Sequence, residues 1–135
     1  MLAVINPELD RLARAPYVSV TSYEPDGTAV ATPLSIAAEG GYLLAVTEAG
    51  SGKVDRLRHD GRVLLAPCNG RGEVRGDPVP GVATVVDDAQ LVQRAQRVLK
   101  AKYGLLSKAL EVRDRFKPRT YVALAFEVSE PGDES

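Results

Sequence analysis

The residues of this chain best suited to chemistry by type and spacing lie in one short segment, Thr47-Glu48-Ala49-Gly50-Ser51-Gly52-Lys53. Thr47 ends an apolar run, and Gly50 and Gly52 let the backbone turn sharply and approach a ligand closely. Ser51 opens a helix whose first amides have no carbonyl behind them and therefore attract an anion. Lys53 and Arg56 stand three apart on that helix and project to one side, which places two cations beside the same anion, while Val54 and Leu57 hold the other side to a core. The chemistry such a turn suits is the binding of phosphate. By composition alone the plainer reading is commoner: Ser51 caps a surface helix, and Lys53, Arg56 and Arg58 are solvated. No Gly-x-x-x-x-Gly-Lys-Ser/Thr loop occurs and no Gly-x-Gly-x-x-Gly follows a strand, which sets aside the nucleotide folds built on those loops.

The remaining reactive side chains are weaker candidates. His59 is the one histidine and sits between Arg58 and Asp60 at a helix end, a common solvent-exposed setting that does not suggest a triad. Cys68 closes an apolar strand with no base near it in sequence, so it reads as a small buried hydrophobe. Asp87-Asp88 precedes a helix and reads as its cap, and Glu73 with Asp77 lies in a turn-rich loop. Arg58, Arg71 and Arg75 are placed to steer an anion or simply to be solvated. No catalytic residue can be named from the sequence, and with one cysteine and one histidine no metal site is expected.

These side chains must be held by a chain of 135 residues, the size of one domain. A formal net charge of −1 gives no global attraction to nucleic acid or to an anionic membrane, so any anion site has to be local. The lone cysteine fits a reducing compartment. The N-terminus, Met1 to Pro7, lacks a basic segment followed by a long apolar run, and no apolar stretch approaches the roughly 18 residues of a membrane span, so the chain reads as cytosolic.

The elements follow from periodicity. Asn6-Pro7-Glu8 starts an N-terminal helix within about residues 1–16, carrying Leu9, Leu12 and Ala13 on one side and ending before Pro16. Tyr17 to Tyr23 alternates as a strand, Glu24-Pro25-Asp26-Gly27 turns, and Ala29 to Ala38 resumes an extended pattern. After Glu39-Gly40-Gly41, the apolar run Tyr42 to Thr47 predicts a strand buried on both faces. A short helix spans Ser51 to Asp60. Strands at Arg62 to Cys68 and Gly81 to Val86 flank the polar loop Asn69 to Pro80. A longer helix follows, carrying Leu91, Val92, Ala95, Val98, Leu99 and Tyr103 and stopped by Gly104, then a further helical stretch over Ser107 to Arg115. Arg119 to Val128 is the last strand, and residues 130–135 are expected to fray. The fold class is therefore mainly β with helices (α+β), one domain over residues 1–135. About six antiparallel strands curl into a small barrel to remove their edges, and helices cover its openings.

The succession Tyr17 to Tyr23, Pro25-Asp26-Gly27-Thr28, Ala31-Thr32-Pro33-Leu34, Thr47, Ser51-Gly52-Lys53-Val54 and Arg62 to Cys68 resembles the pyridoxamine-phosphate-oxidase superfamily. Within it the chain is most similar to the F420-dependent branch, over nearly its whole length from Tyr17 to Val128 and including Pro78 to Thr84. The resemblance implies a split β-barrel homodimer with cofactor grooves at the interface, holding the deazaflavin coenzyme F420 or, in related branches, FMN. It implies an oxidoreductase that passes a hydride between deazaflavin and a small unsaturated substrate, with a non-catalytic cofactor carrier and an FMN-dependent oxidase as alternatives. Carried over by residue, Thr47, Ser51, Gly52 and Lys53 match the phosphate turn, with Arg56 as helper. Thr32, Pro33 and Leu34 match the strand beside the ring, and Pro67 and Cys68 end a neighbouring strand. FMN-using relatives typically add an arginine on the second strand and a second basic residue beside the lysine, where this chain has Ala31 nearby and Gly52. Losing those charges weakens the hold on a dianionic phosphate more than on a singly charged phosphodiester, which favours the deazaflavin.

Overall fold

The computed structural model describes residues 6–104 and 120–129; the helix expected over Ser107 to Arg115 and the expected frayed tail lie outside them. Asn6 accepts hydrogen bonds from the amides of Glu8 and Leu9 at 3.1 and 3.3 Å and so starts α1 (Pro7–Arg14), whose Leu12 is fully buried. The strands are β1 (Tyr17–Tyr23), β2 (Ala29–Leu34), β3 (Ala37–Glu39), β4 (Tyr42–Glu48), β5 (Arg62–Cys68), β6 (Val79–Val86) and β7 (Tyr121–Val128). Two further helices interrupt them, α2 (Gly52–His59) between β4 and β5 and α3 (Ala89–Tyr103) between β6 and β7.

All strand pairs are antiparallel, in one seven-stranded sheet of order β2-β1-β5-β6-β7-β4-β3. Its two edge strands are consecutive in the chain and joined by Ser35-Ile36 alone. A flat sheet with six gaps of about 4.8 Å would hold those edges roughly 29 Å apart. Two linking residues reach only about 11 Å. The sheet is therefore rolled, and the link marks the seam of a split barrel.

That link corrects the strand count. A single extended segment over Ala29 to Ala38 was expected, within about six strands; the chain breaks it in two, and the described residues form seven. The cause is tertiary. Ile36 is fully buried, its amide donates to Tyr103 Oη at 3.1 Å and its carbonyl accepts from Lys102 Nζ at 2.6 Å. With its backbone satisfied by α3 instead of a neighbouring strand, the chain leaves one sheet edge and joins the other.

The barrel interior is filled by Val18, Val20, Leu43, Ala45, Leu65, Leu124 and Phe126, with Leu12 and Leu57 supplied by the helices. A second layer lies outside, where Ala95 of α3, with Leu91, Val92 and Val98 beside it, covers Leu44 and Ala123. The unbroken apolar run of β4 follows from this arrangement: Leu43 and Ala45 face the barrel, while Leu44 and Val46 face α3. No helix among the described residues is long and apolar enough to cross a membrane.

Candidate functional site

The turn between β4 and α2 is pinned at both shoulders. The amide of Ala49 donates to the carbonyl of Thr120 at 2.9 Å, and that of Ser51 to Glu48 at 3.1 Å. Ser51 holds the extended backbone of a helix N-cap (φ −75°, ψ 155°), yet its side chain makes no capping bond, contrary to the plainer reading of this residue. Its Oγ is buried and has no hydrogen-bond partner among the described residues. The carbonyl of Ser51 accepts from Val54 at 3.2 Å, whereas the amides of Gly52 and Lys53 have no carbonyl of the helix to reach. The helix start thus joins amides with no helix carbonyl behind them to a hydroxyl with no partner among the described residues. An unpaired buried hydroxyl costs about 1–3 kcal/mol.

Two cations flank this start. Lys53 Nζ donates to Thr47 Oγ1 at 3.3 Å, across the end of the barrel, and Thr47 is 8% exposed. Arg56 Nε donates to Ser22 Oγ at 2.8 Å, and its NH1 lies 3.7 Å from Glu24 Oε1. The same NH1 would lie 3.2 Å from a Cβ placed on Gly52, a tight contact, so the guanidinium lies close against the turn. Thr47, Ser51, Gly52, Lys53 and Arg56 are thus brought together as the spacing suggests, and Val54 and Leu57 are buried on the opposite side of the helix.

Ser22 and Glu24 are additions that the sequence reading did not single out. A signal for Ser22 was present: Val18 and Val20 face the core, and alternation puts Ser22 on the same face, a polar residue in an apolar row that needs a partner.

The other expected residues lie elsewhere along the strands. In the register of β1 with β2 and β5, Thr32 pairs with Val20, Pro33 with Ser19, Leu34 and Pro67 with Val18, and Cys68 with Tyr17. These levels are two to five residues from Ser22, roughly 7 to 17 Å along the strand. Alternation also separates them by face: Pro33 points outward and is exposed, while Leu34 packs on the core. Cys68 is fully buried, and burial raises its thiol pKa, in keeping with a packing role. The loop after β5 lies over this half, with Gly70 against the Tyr17 ring, Gly72 against Pro33 and Gly76 against Pro67. A groove of about 560 Å³ lined by Glu8, Arg11, Pro67, Arg75, Asp77 and Ser129 also opens there. His59 and Arg58 are exposed. Asp88 caps α3 through Gln90, and Glu73 bonds Asn69 within the loop, so these acids do structural work. At the far end of α2, hydrogen bonds from Arg62 hold the Asp60 carboxyl down to about 2.

A family model described as pyridoxamine 5'-phosphate oxidase matches residues 5–130. No curated protein matches the sequence. Among solved structures, a conserved hypothetical protein of Mycobacterium tuberculosis superposes with a TM-score of 0.68 at 19% identity, covering 98% of this chain and 88% of its own. A protein described as an F420 reductase gives 0.60 at 17% identity, covering 89% and 92%. The heme storage protein HutZ of Vibrio cholerae gives 0.66 at 10% identity, covering 92% and 89%. At these identities the likeness is one of fold, shared by an enzyme and a storage protein alike. The family match spans nearly the whole sequence, from before α1 to beyond β7, and the chain belongs to the pyridoxamine 5'-phosphate oxidase family.

Proposed function

We infer that this protein is an F420-dependent oxidoreductase, which anchors its deazaflavin by a phosphodiester at the Thr47 to Lys53 turn and acts on a small unsaturated substrate. The observation that carries the reading is the orphaned Ser51 hydroxyl at the start of α2, where the first amides have no helix carbonyl behind them. These groups fit a phosphate: a χ1 rotation turns a serine hydroxyl between staggered positions, Ser51 keeps part of its surface exposed, and the ammonium of Lys53 adds a charge-assisted bond. When bound, the deazaflavin supplies hydride transfer. The chain supplies anchorage, orientation and exclusion of water, and no side chain at the turn is required as an acid.

A homodimer with cofactor sites at its interface belongs to the same reading. The outer face of β1, β2, β5 and β6 carries Leu64 and Val82 at 37% and 49% exposure, with exposed Ala31 and Pro33 beside them. A stable pairing of copies needs about 800 Å² from each. A buried, lone thiol at Cys68 suits a cytosolic setting.

Titration of the purified protein with F420 and with FMN, followed by ring fluorescence, tests the reading. F420 is expected to bind more tightly than FMN, and Lys53→Ala to weaken F420 by about 10-fold to 100-fold, the scale of a hydrogen bond from a charged donor, with an unchanged melting temperature. Failure of both cofactors to bind below the high micromolar range overturns the reading, and full affinity in Lys53→Ala removes the role given to Lys53. Steady-state reduction of a conjugated or imine-like acceptor separates an enzyme from a carrier.

A further inference from the structure

The turn carries two cations, but they are not equally available. Among the described residues Lys53 donates to a neutral hydroxyl, that of Thr47. Arg56 is 13% exposed, held through Nε by the buried hydroxyl of Ser22, and faces the carboxylate of Glu24. The Glu24 side chain is 41% exposed, but its backbone is fixed. It opens the hairpin turn after β1, where its amide donates to Thr28 at 2.9 Å and its carbonyl accepts from Gly27 at 2.8 Å, with Gly27 at φ 91°. A positive φ there suits glycine and keeps the turn tight, so the Glu24 backbone has little freedom to move away from Arg56. The other acidic side chains near in sequence, Glu48 and Asp55, are exposed at the end of β4 and in the first turn of α2.

We propose that Glu24 is a specificity-determining residue: by offsetting the charge of Arg56 against Gly52, it leaves the turn matched to a singly charged phosphodiester and biased against a dianionic phosphate monoester. This rests on the reading of the turn as a cofactor-phosphate site. The physical basis is that a fixed change in site potential acts on each ligand charge in proportion. A carboxylate near the anion therefore penalises a charge of two about twice as much, in free energy, as a charge of one. A terminal phosphate monoester has its second pKa near 6 and is fully dianionic by about pH 8; a phosphodiester stays singly charged.

The measurement compares wild type with Glu24→Gln at pH 8, using FMN as the monoester and the methyl phosphodiester of FMN as a probe with the same ring. Coenzyme F420 serves as a second diester. Removing the carboxylate is expected to tighten the diesters by about twofold to threefold and the monoester by about fourfold to ninefold, the square of the first factor, given the modest strength of a partly exposed charge pair. Both gains should shrink as salt rises. In an Arg56→Gln background the change at Glu24 is expected to keep its selective effect, because the carboxylate acts on the ligand charge whether or not the guanidinium is there. Should that background fail to fold, the salt dependence of the Glu24→Gln gains in the otherwise native protein decides the point. Equal gains for monoester and diester, or none, overturn the proposal while leaving the phosphate site standing. Absence of binding by any probe to the wild type overturns the phosphate reading and this proposal together.

Discussion

Helices α1 and α2, each of eight residues, begin in opposite ways. At the start of α1, Asn6 satisfies the amides of Glu8 and Leu9 and also donates through Nδ2 to the carbonyl of Val128 at 2.9 Å, tying the helix to β7. At the start of α2, Ser51 occupies the same position with a similar backbone and leaves its hydroxyl buried and unpaired. Both helices bury leucine in the same core, Leu12 in one and Leu57 in the other. They share length, packing and N-cap backbone region, so the difference lies in what each start offers to an outside acceptor. A satisfied start serves the fold. An unsatisfied start held in place by its neighbours costs stability and leaves polar groups open to an outside acceptor.

The comparison can be broken first at its shared half. Leu12→Ala and Leu57→Ala should each cost about 2–5 kcal/mol, as deletion of a buried leucine generally does, read by denaturant unfolding. Were one of them near neutral, packing would differ between the helices and the contrast at their starts would lose its control.

The starts themselves come next. Asn6→Ala should destabilise by about 1 kcal/mol, within the 0.5–2 range for lost caps. Ser51→Ala, which removes an orphaned hydroxyl, should leave stability within about 0.5 kcal/mol of wild type or raise it, while weakening F420 several-fold. Equal losses of melting temperature in the two variants would mean that Ser51 is a structural cap after all.

The smallest effect is expected at the other end of α2, where Asp60 is satisfied by Arg62 at 2.8 Å. Its folded pKa of about 2 lies below the ordinary aspartate value. Its contribution is therefore fully present above the unfolded pKa of about 3.9 and is lost as pH falls through about 2. Acid titration followed by circular dichroism should show a slightly steeper loss in wild type than in Asp60→Asn over that window, and identical curves would leave the pair without effect. Arg62 is 80% exposed, so solvent keeps the contribution small.

Local pattern was enough to place most elements. Asn6 before Pro7, the alternation of Tyr17 to Tyr23, the stop at Gly104 (φ 61°) and the apolar run of β4 each reflect a constraint that acts within a few residues, and the structure has each where periodicity put it. The gathering of Thr47, Ser51, Gly52, Lys53 and Arg56 was legible for the same reason, since one turn and one helix span them all. Three features were decided only by the tertiary structure. The break at Ser35-Ile36 depends on Lys102 and Tyr103, more than sixty residues away. Ser51 holds an N-cap backbone yet makes no side-chain capping bond, in a turn that Thr120 pins from β7's side of the sheet. The pairing of Arg56 with Ser22 and Glu24 depends on α2 closing over the end of β1. Helix and strand periods record which face is buried; which distant residue meets that face is settled by the rolling of the sheet, and the sequence carries that information only through packing.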